Sequence, residues 1–179
     1  MNELTSSTEQ TKQGQQAYET GNFIEAARLF KNAADILARG GDSLGAAEQE
    51  NNRSVALLKA GDVQGALLAA QGTDRVFEQA GDFRRQAIAL GNLAAAMEGS
   101  GKLTEALDYY QQSADLLKQV NDLELRAFVL KNLSALQLKM GRQFEAMASM
   151  DAALNPKRKM TLVEKILKKL LKVPLRMLH

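Results

Sequence analysis

Three asparagines return at one spacing, Asn52, Asn92 and Asn132, each forty residues after the last. A carboxamide carries N–H donors and a carbonyl acceptor, so it can pair with a main-chain peptide group on both counts. That chemistry recognises; it does not break bonds. Residues that break bonds are scarce. The chain has one histidine, His179, and no cysteine, which leaves no thiolate metal site and no disulfide framework. It has no glycine-rich phosphate loop and no metal-ligand spacing. Carboxylates are plentiful but fall at solvent-facing helical positions. The expectation is a non-enzyme with no catalytic residue, cofactor or metal. A mid-helix asparagine has poor helix propensity, so its recurrence wants a reason. It either bonds a neighbouring helix or reaches a bound peptide backbone. The first is favoured, because a buried amide must find partners.

The asparagines ride on a periodic frame. Gly21-Asn22-Phe23-Ile24-Glu25-Ala26 returns at Gly61, at Gly101-Lys102-Leu103-Thr104-Glu105-Ala106 and at Gly141. Gly41-Asp42, Gly81-Asp82 and Asn121-Asp122 keep the same step. A fixed period of this size marks stacked repeats. The chain divides into units 1–40, 41–80, 81–120 and 121–156, followed by a tail, 157–179. Each unit reads as two helices with apolar residues at helical spacing. A glycine stops the first, since glycine enters the left-handed position cheaply. The second begins at once, with Ala26, Ala66, Ala106 or Ala146 one turn in. Phe30, Tyr110 and Met150 follow a turn later, where unit two has only Ala70. The Gly-Asp or Asn-Asp pair ends that helix and caps the next. The opening helix, roughly 8–20, is polar, as a capping helix of a stack should be, and residues 1–6 are expected to fray. Asn155-Pro156 ends the last second helix, 143–154, because a residue before proline is pushed out of the helical region.

Composition narrows the classes further. Alanine and leucine dominate, and the only prolines are Pro156 and Pro174. Both suit helix-on-helix packing. The polar start, 1–16, lacks the apolar core of a secretory signal, and no run is long and clean enough to span a bilayer. The expected location is cytoplasmic, with peripheral membrane contact as an addition. Net charge +2 hides a split. Residues 1–156 carry 15 basic and 20 acidic side chains, a balance of −5, and residues 157–179 carry 8 and 1, a balance of +7. Such asymmetry speaks of partners.

At these positions the chain resembles the tetratricopeptide repeat family. The family's small residue falls on Gly14, Ser54, Ala94 and Ser134, and its last small position on Ala33, Thr73, Ser113 and Ala153. The large residue between is Leu57 and Met97 in units two and three, but Ala17 and Gln137 elsewhere. Forty-residue units look more like the long repeats of kinesin light chain and Pins-type adaptors than the common 34-residue unit. The resemblance implies an all-α fold, a right-handed α-solenoid of four helix-turn-helix repeats plus a C-terminal amphipathic helix. It also implies a protein-binding scaffold or adaptor whose concave groove is lined by first-helix residues. Carried over, these are Glu48, Asn51, Val55, Leu58 and Lys59; Ile88, Gly91, Ala95 and Glu98; and Phe128, Lys131, Ala135, Leu138 and Lys139. The mixture suits a peptide or an amphipathic helix. The position that holds a carboxylate tail in chaperone-binding members is Gln15, Val55, Ala95 and Ala135, which argues against that activity.

The tail reads as a basic amphipathic helix from about residue 160. Leu162, Val163, Ile166, Leu167, Leu170 and Leu171 share one face; Lys165, Lys168, Lys169 and Lys172 share the other. Pro174 should kink or stop it. Three roles are open: a cap over the last repeat, an anchor on anionic lipid, or a dock for a partner or for the protein's own groove near Glu48 and Glu98. A spanning helix is excluded, since a central lysine costs about 2.5–3.5 kcal/mol. Nucleic acid is disfavoured, because the tail has no aromatic for stacking and the repeat body is acidic. The sequence leaves the oligomeric state open.

Overall fold

A computed structural model of the chain describes residues 3–155. The described residues form nine helices and no strand. They are α1 (Glu3–Glu19), α2 (Phe23–Arg39), α3 (Ser43–Lys59), α4 (Val63–Ala70), α5 (Thr73–Gln79), α6 (Phe83–Gly99), α7 (Leu103–Gln119), α8 (Leu123–Lys139) and α9 (Gln143–Leu154). The helices pack side by side in an extended stack, α1 on α2, α2 on α3, α3 on both α4 and α5, these on α6, and so on to α8 on α9. This is the expected all-α solenoid. The expected amphipathic tail helix lies outside the described residues.

The punctuation works as the spacing predicts. Gly21, Gly41, Gly61, Gly81, Gly101 and Gly141 all have φ between 71° and 86°, and Asn121 takes the same role at φ 58°. Asparagine tolerates this region better than other side chains. The Asn22, Asp42, Asp62, Asp82 and Asp122 side chains then accept from the backbone N–H three residues on, which caps α2, α3, α4, α6 and α8. Lys102 and Arg142, in the same turn, make no side-chain cap. α9 stops at Asn155, whose φ of −121° and ψ of 62° are not helical. α1 starts earlier than its polar sequence suggested, at Glu3.

Alanine holds the helix pairs together. Ala26, Ala66, Ala106 and Ala146 are all buried. Around them lie Ala27, Phe30 and Ala56 in the first units, and Tyr110, Ala114, Leu117, Val129, Leu130, Leu133 and Leu136 in the last.

Unit two departs from the pattern. Its second helix is two pieces, α4 and α5, broken at Gln71-Gly72, with Gly72 at φ 83°. Here the Thr73 hydroxyl donates to the Ala70 carbonyl at 2.8 Å and contacts Asn51 Oδ1 at 3.2 Å. The other units carry Asn32, Gln112 and Ala152 at the glycine's position. Phe77 of α5 fills the site, fully buried against Ala47 and Ala89.

Candidate functional site

The first helices of units two to four, α3, α6 and α8, each carry an incompletely covered stripe. On α6 it runs Ile88, Gly91, Asn92, Ala95 and Glu98, all half-buried. These sit at i, i+3, i+4, i+7 and i+10, one face of a helix. The same register on α3 gives exposed Glu48 and Lys59, half-buried Asn52, Val55 and Leu58, and buried Asn51. On α8 it gives Phe128, Lys131, Ala135, Leu138 and Lys139, all exposed, with Asn132 half-buried. Phe128 is 60% exposed and Leu138 57%, so α8 carries the apolar part of this surface.

Two of the expected groove residues also meet other helices. Asn51 Oδ1 lies 3.2 Å from the Thr73 hydroxyl and ties α3 to α5. Gly91 lies against α7 and α8, where a Cβ would sit 3.4 Å from Ser113 Oγ and 3.8 Å from Val129 Cγ2.

The stripe's charges are partly committed. Arg85 of α6 reaches Glu48 of α3 at 3.2 Å, Arg84 reaches Asp122 at 2.9 Å, and Lys139 of α8 reaches Glu98 of α6 at 3.6 Å. These pairs link neighbouring units. Arg85 is held doubly, bonded to Asp82 at 2.6 Å and stacked over the Phe77 ring at 5.1 Å. The hydrogen bond from the Arg85 backbone N–H, and then that from its guanidinium, hold the Asp82 carboxyl below its usual value. Burial pushes the Tyr110 phenol well up, and Glu98 beside it pushes the same way. Among the described residues, Lys59 and Lys131 have no carboxylate within salt-bridge distance.

The recurring asparagines are the informative residues. None of Asn52, Asn92 and Asn132 makes a hydrogen bond to a neighbouring helix among the described residues. Asn52 only approaches Gln49 of its own helix, at 3.5 Å. The interhelical role favoured from sequence is therefore taken by other residues. The Ser54 and Ser134 hydroxyls donate to the Ala66 and Ala146 carbonyls, and the Ser113 hydroxyl to Ala87, at 2.6–2.8 Å.

Two buried polar atoms stand alone. Gln137 takes the place of Leu57 and Met97, and its Oε1 has no partner among the described residues; the same holds for Arg126 Nε. Desolvation lowers the Arg126 guanidinium's affinity for its proton, against the attraction of Asp115. The described residues contain no group of His, Asp and Glu placed to hold a metal ion. None of the described helices is long and apolar enough to cross a membrane.

Stacked helix pairs with a first-helix stripe left open define a helical-repeat scaffold of the kind that binds other proteins. Residues 85–155 match the tetratricopeptide repeat family. The match reaches the family and not its long-repeat subtype. No curated protein matches the chain.

Proposed function

We infer that the groove formed by α3, α6 and α8 binds an extended peptide by its main chain. The carrying observation is the asparagine row: Asn52, Asn92 and Asn132 are half-buried on one stripe, with amides unspent on other helices. An extended chain advances about 3.3 Å per residue, so successive amides on separate helices would meet peptide groups several residues apart. Phe128 and Leu138 supply the apolar anchor, since burying each such side chain contributes about 1.5–3 kcal/mol. Lys59 and Lys131 favour carboxylates in the peptide. Glu48 and Glu98 already pair with Arg85 and Lys139, which weakens any docking of the protein's own basic tail there. Attachment to a membrane surface would rest on residues 157–179 alone.

A test begins with selection of binders from a displayed random-peptide library on the full chain. Replacing Phe128 and Leu138 together by serine should cut affinity for the selected peptides at least tenfold, with the far-UV circular dichroism unchanged. Equal affinity in that variant would remove the groove from consideration.

A further inference from the structure

We propose that the hollow beside the α4–α5 break binds a small organic ammonium ion with an apolar body, and that the Glu50 carboxylate is its counter-ion. The hollow measures about 400 Å³, within the roughly 300–1,000 Å³ usual for small-molecule sites. It lies where the end of α2, the first half of α3 and the two pieces of unit two's second helix meet. On α3, Ser43, Ala46, Ala47 and Glu50 line it and share one face. The groove residues Glu48, Asn52, Val55 and Lys59 lie about 150° round the same helix axis. The hollow is therefore separate from the groove inferred to hold a peptide.

Repeat register shows that unit two makes this space and the later units fill it. Ser43 stands where units three and four have Phe83 and Leu123, and Ala46 where they have Gln86 and Arg126. Gly72 replaces Gln112 of unit three, and its φ of 83° turns the chain out of the helix. Gln86 is buried, as are Leu90 and Leu130. Glu50 stands at the register of those two leucines. Unit two thus combines smaller walls with a carboxylate where the repeat elsewhere buries an aliphatic chain. Among the described residues that line the hollow, Glu50 alone is ionisable and none is cationic. Arg53 donates to Glu50 Oε2 at 2.9 Å, and it lines the neighbouring groove with Ile24 and Leu57. A carboxylate has two oxygens and about four acceptor positions, so a second donor can join it from the hollow. An ammonium ion with a hydrocarbon body would place its charge on Glu50 and its carbon chain against Ala46, Ala47 and Val76. An anion would meet the carboxylate's repulsion instead.

The probe is n-hexylammonium chloride, titrated into the isotope-labelled full chain and followed by amide NMR. The Gly72 and Val76 resonances should shift and saturate. n-Hexanol should bind at least about threefold more weakly, the loss of a half-exposed ion pair, and hexanoate should leave both resonances in place. Glu50→Gln should bring n-hexylammonium down to the affinity of n-hexanol. Ala46→Gln installs the side chain that unit three buries at this register, so far-UV circular dichroism should be unchanged. Both resonances should then stop responding to either probe. Three results would each overturn the proposal: equal affinity of the ammonium ion and the alcohol for the parent, a saturable response that survives Ala46→Gln, or no saturable response in the parent.

Discussion

The Ser54 hydroxyl donates to the Ala66 carbonyl oxygen at 2.8 Å, across the two helices of unit two. Ser134 repeats the bond to Ala146 in unit four. Units one and three place Gly14 and Ala94 there instead. The choice tracks the second helix. Where that helix brings a buried aromatic, Phe30 or Tyr110, the first helix shrinks. Where it brings Ala70 or the part-exposed Met150, there is room for a hydroxyl.

This reciprocity predicts opposite tolerances at one repeat position. Ser54→Ala loses a hydrogen bond and should cost about 0.5–1.5 kcal/mol. Gly14→Ala places a Cβ 2.8 Å from the Phe30 ring, which is buried and cannot swing away. Overpacking of about 1–3 kcal/mol should exceed the roughly 0.5–1 kcal/mol that alanine gains in a helix interior. Urea midpoints measure both. A Gly14→Ala protein more stable than the parent would refute the size-matching rule.

Gln137 offers a stabilising substitution. Its Oε1 is buried without a partner among the described residues, where sister units have Leu57 and Met97. Gln137→Met should raise stability by about 1–3 kcal/mol, the cost of an unsatisfied buried polar group. Thermal melting decides it: a fall in Tm would mean that the amide has a partner beyond residue 155.

The break in unit two depends on one backbone conformation. At φ 83° a Cβ is disfavoured by about 1–2 kcal/mol, so Gly72→Ala should lower stability by that amount. The local space is open, so the effect would be conformational. An unchanged urea midpoint would show that the α4–α5 junction relaxes freely.

Asp82 caps α6 and holds Arg85. Asp82→Ala should cost about 0.5–2 kcal/mol at neutral pH. Because the folded carboxyl titrates below its usual value, its ionic contribution is complete above about pH 4. It is lost as pH falls through the lowered folded value. The gap between Asp82→Ala and parent should narrow in acid, and Asp82→Asn, which keeps the acceptor oxygen, should lie between them at neutral pH. A gap that widens below pH 4 would reverse the assigned sign.

Most of the scaffold was legible because glycine, aspartate and alanine each do one job at a fixed step. Left-handed turns, caps and close helix contacts follow from residue type alone, and α9 ends at Asn155 as the proline after it requires. The α4–α5 break was not read, although its mark was visible: Gly72 followed by Thr73 inside a helical pattern, where sister units have no glycine. The inward turn of Asn51 depends on that break, since Thr73 meets it only because α5 starts there. Register places Gly91 in the groove, where it is half-buried, and a Cβ there would meet Ser113 and Val129 at ordinary contact distance. The asparagine row was visible as a period, while its freedom from other helices needed the hydrogen-bond geometry.

The account stands on those amides reading a main chain rather than particular side chains. Affinities of Asn92→Ala and parent for three selected peptides of unrelated sequence test this most directly, by titration calorimetry. Loss of about 0.5–1.5 kcal/mol per hydrogen bond predicts a similar drop on all three, about 2–12-fold. Unchanged affinity on all three, or a loss confined to one sequence, would contradict it.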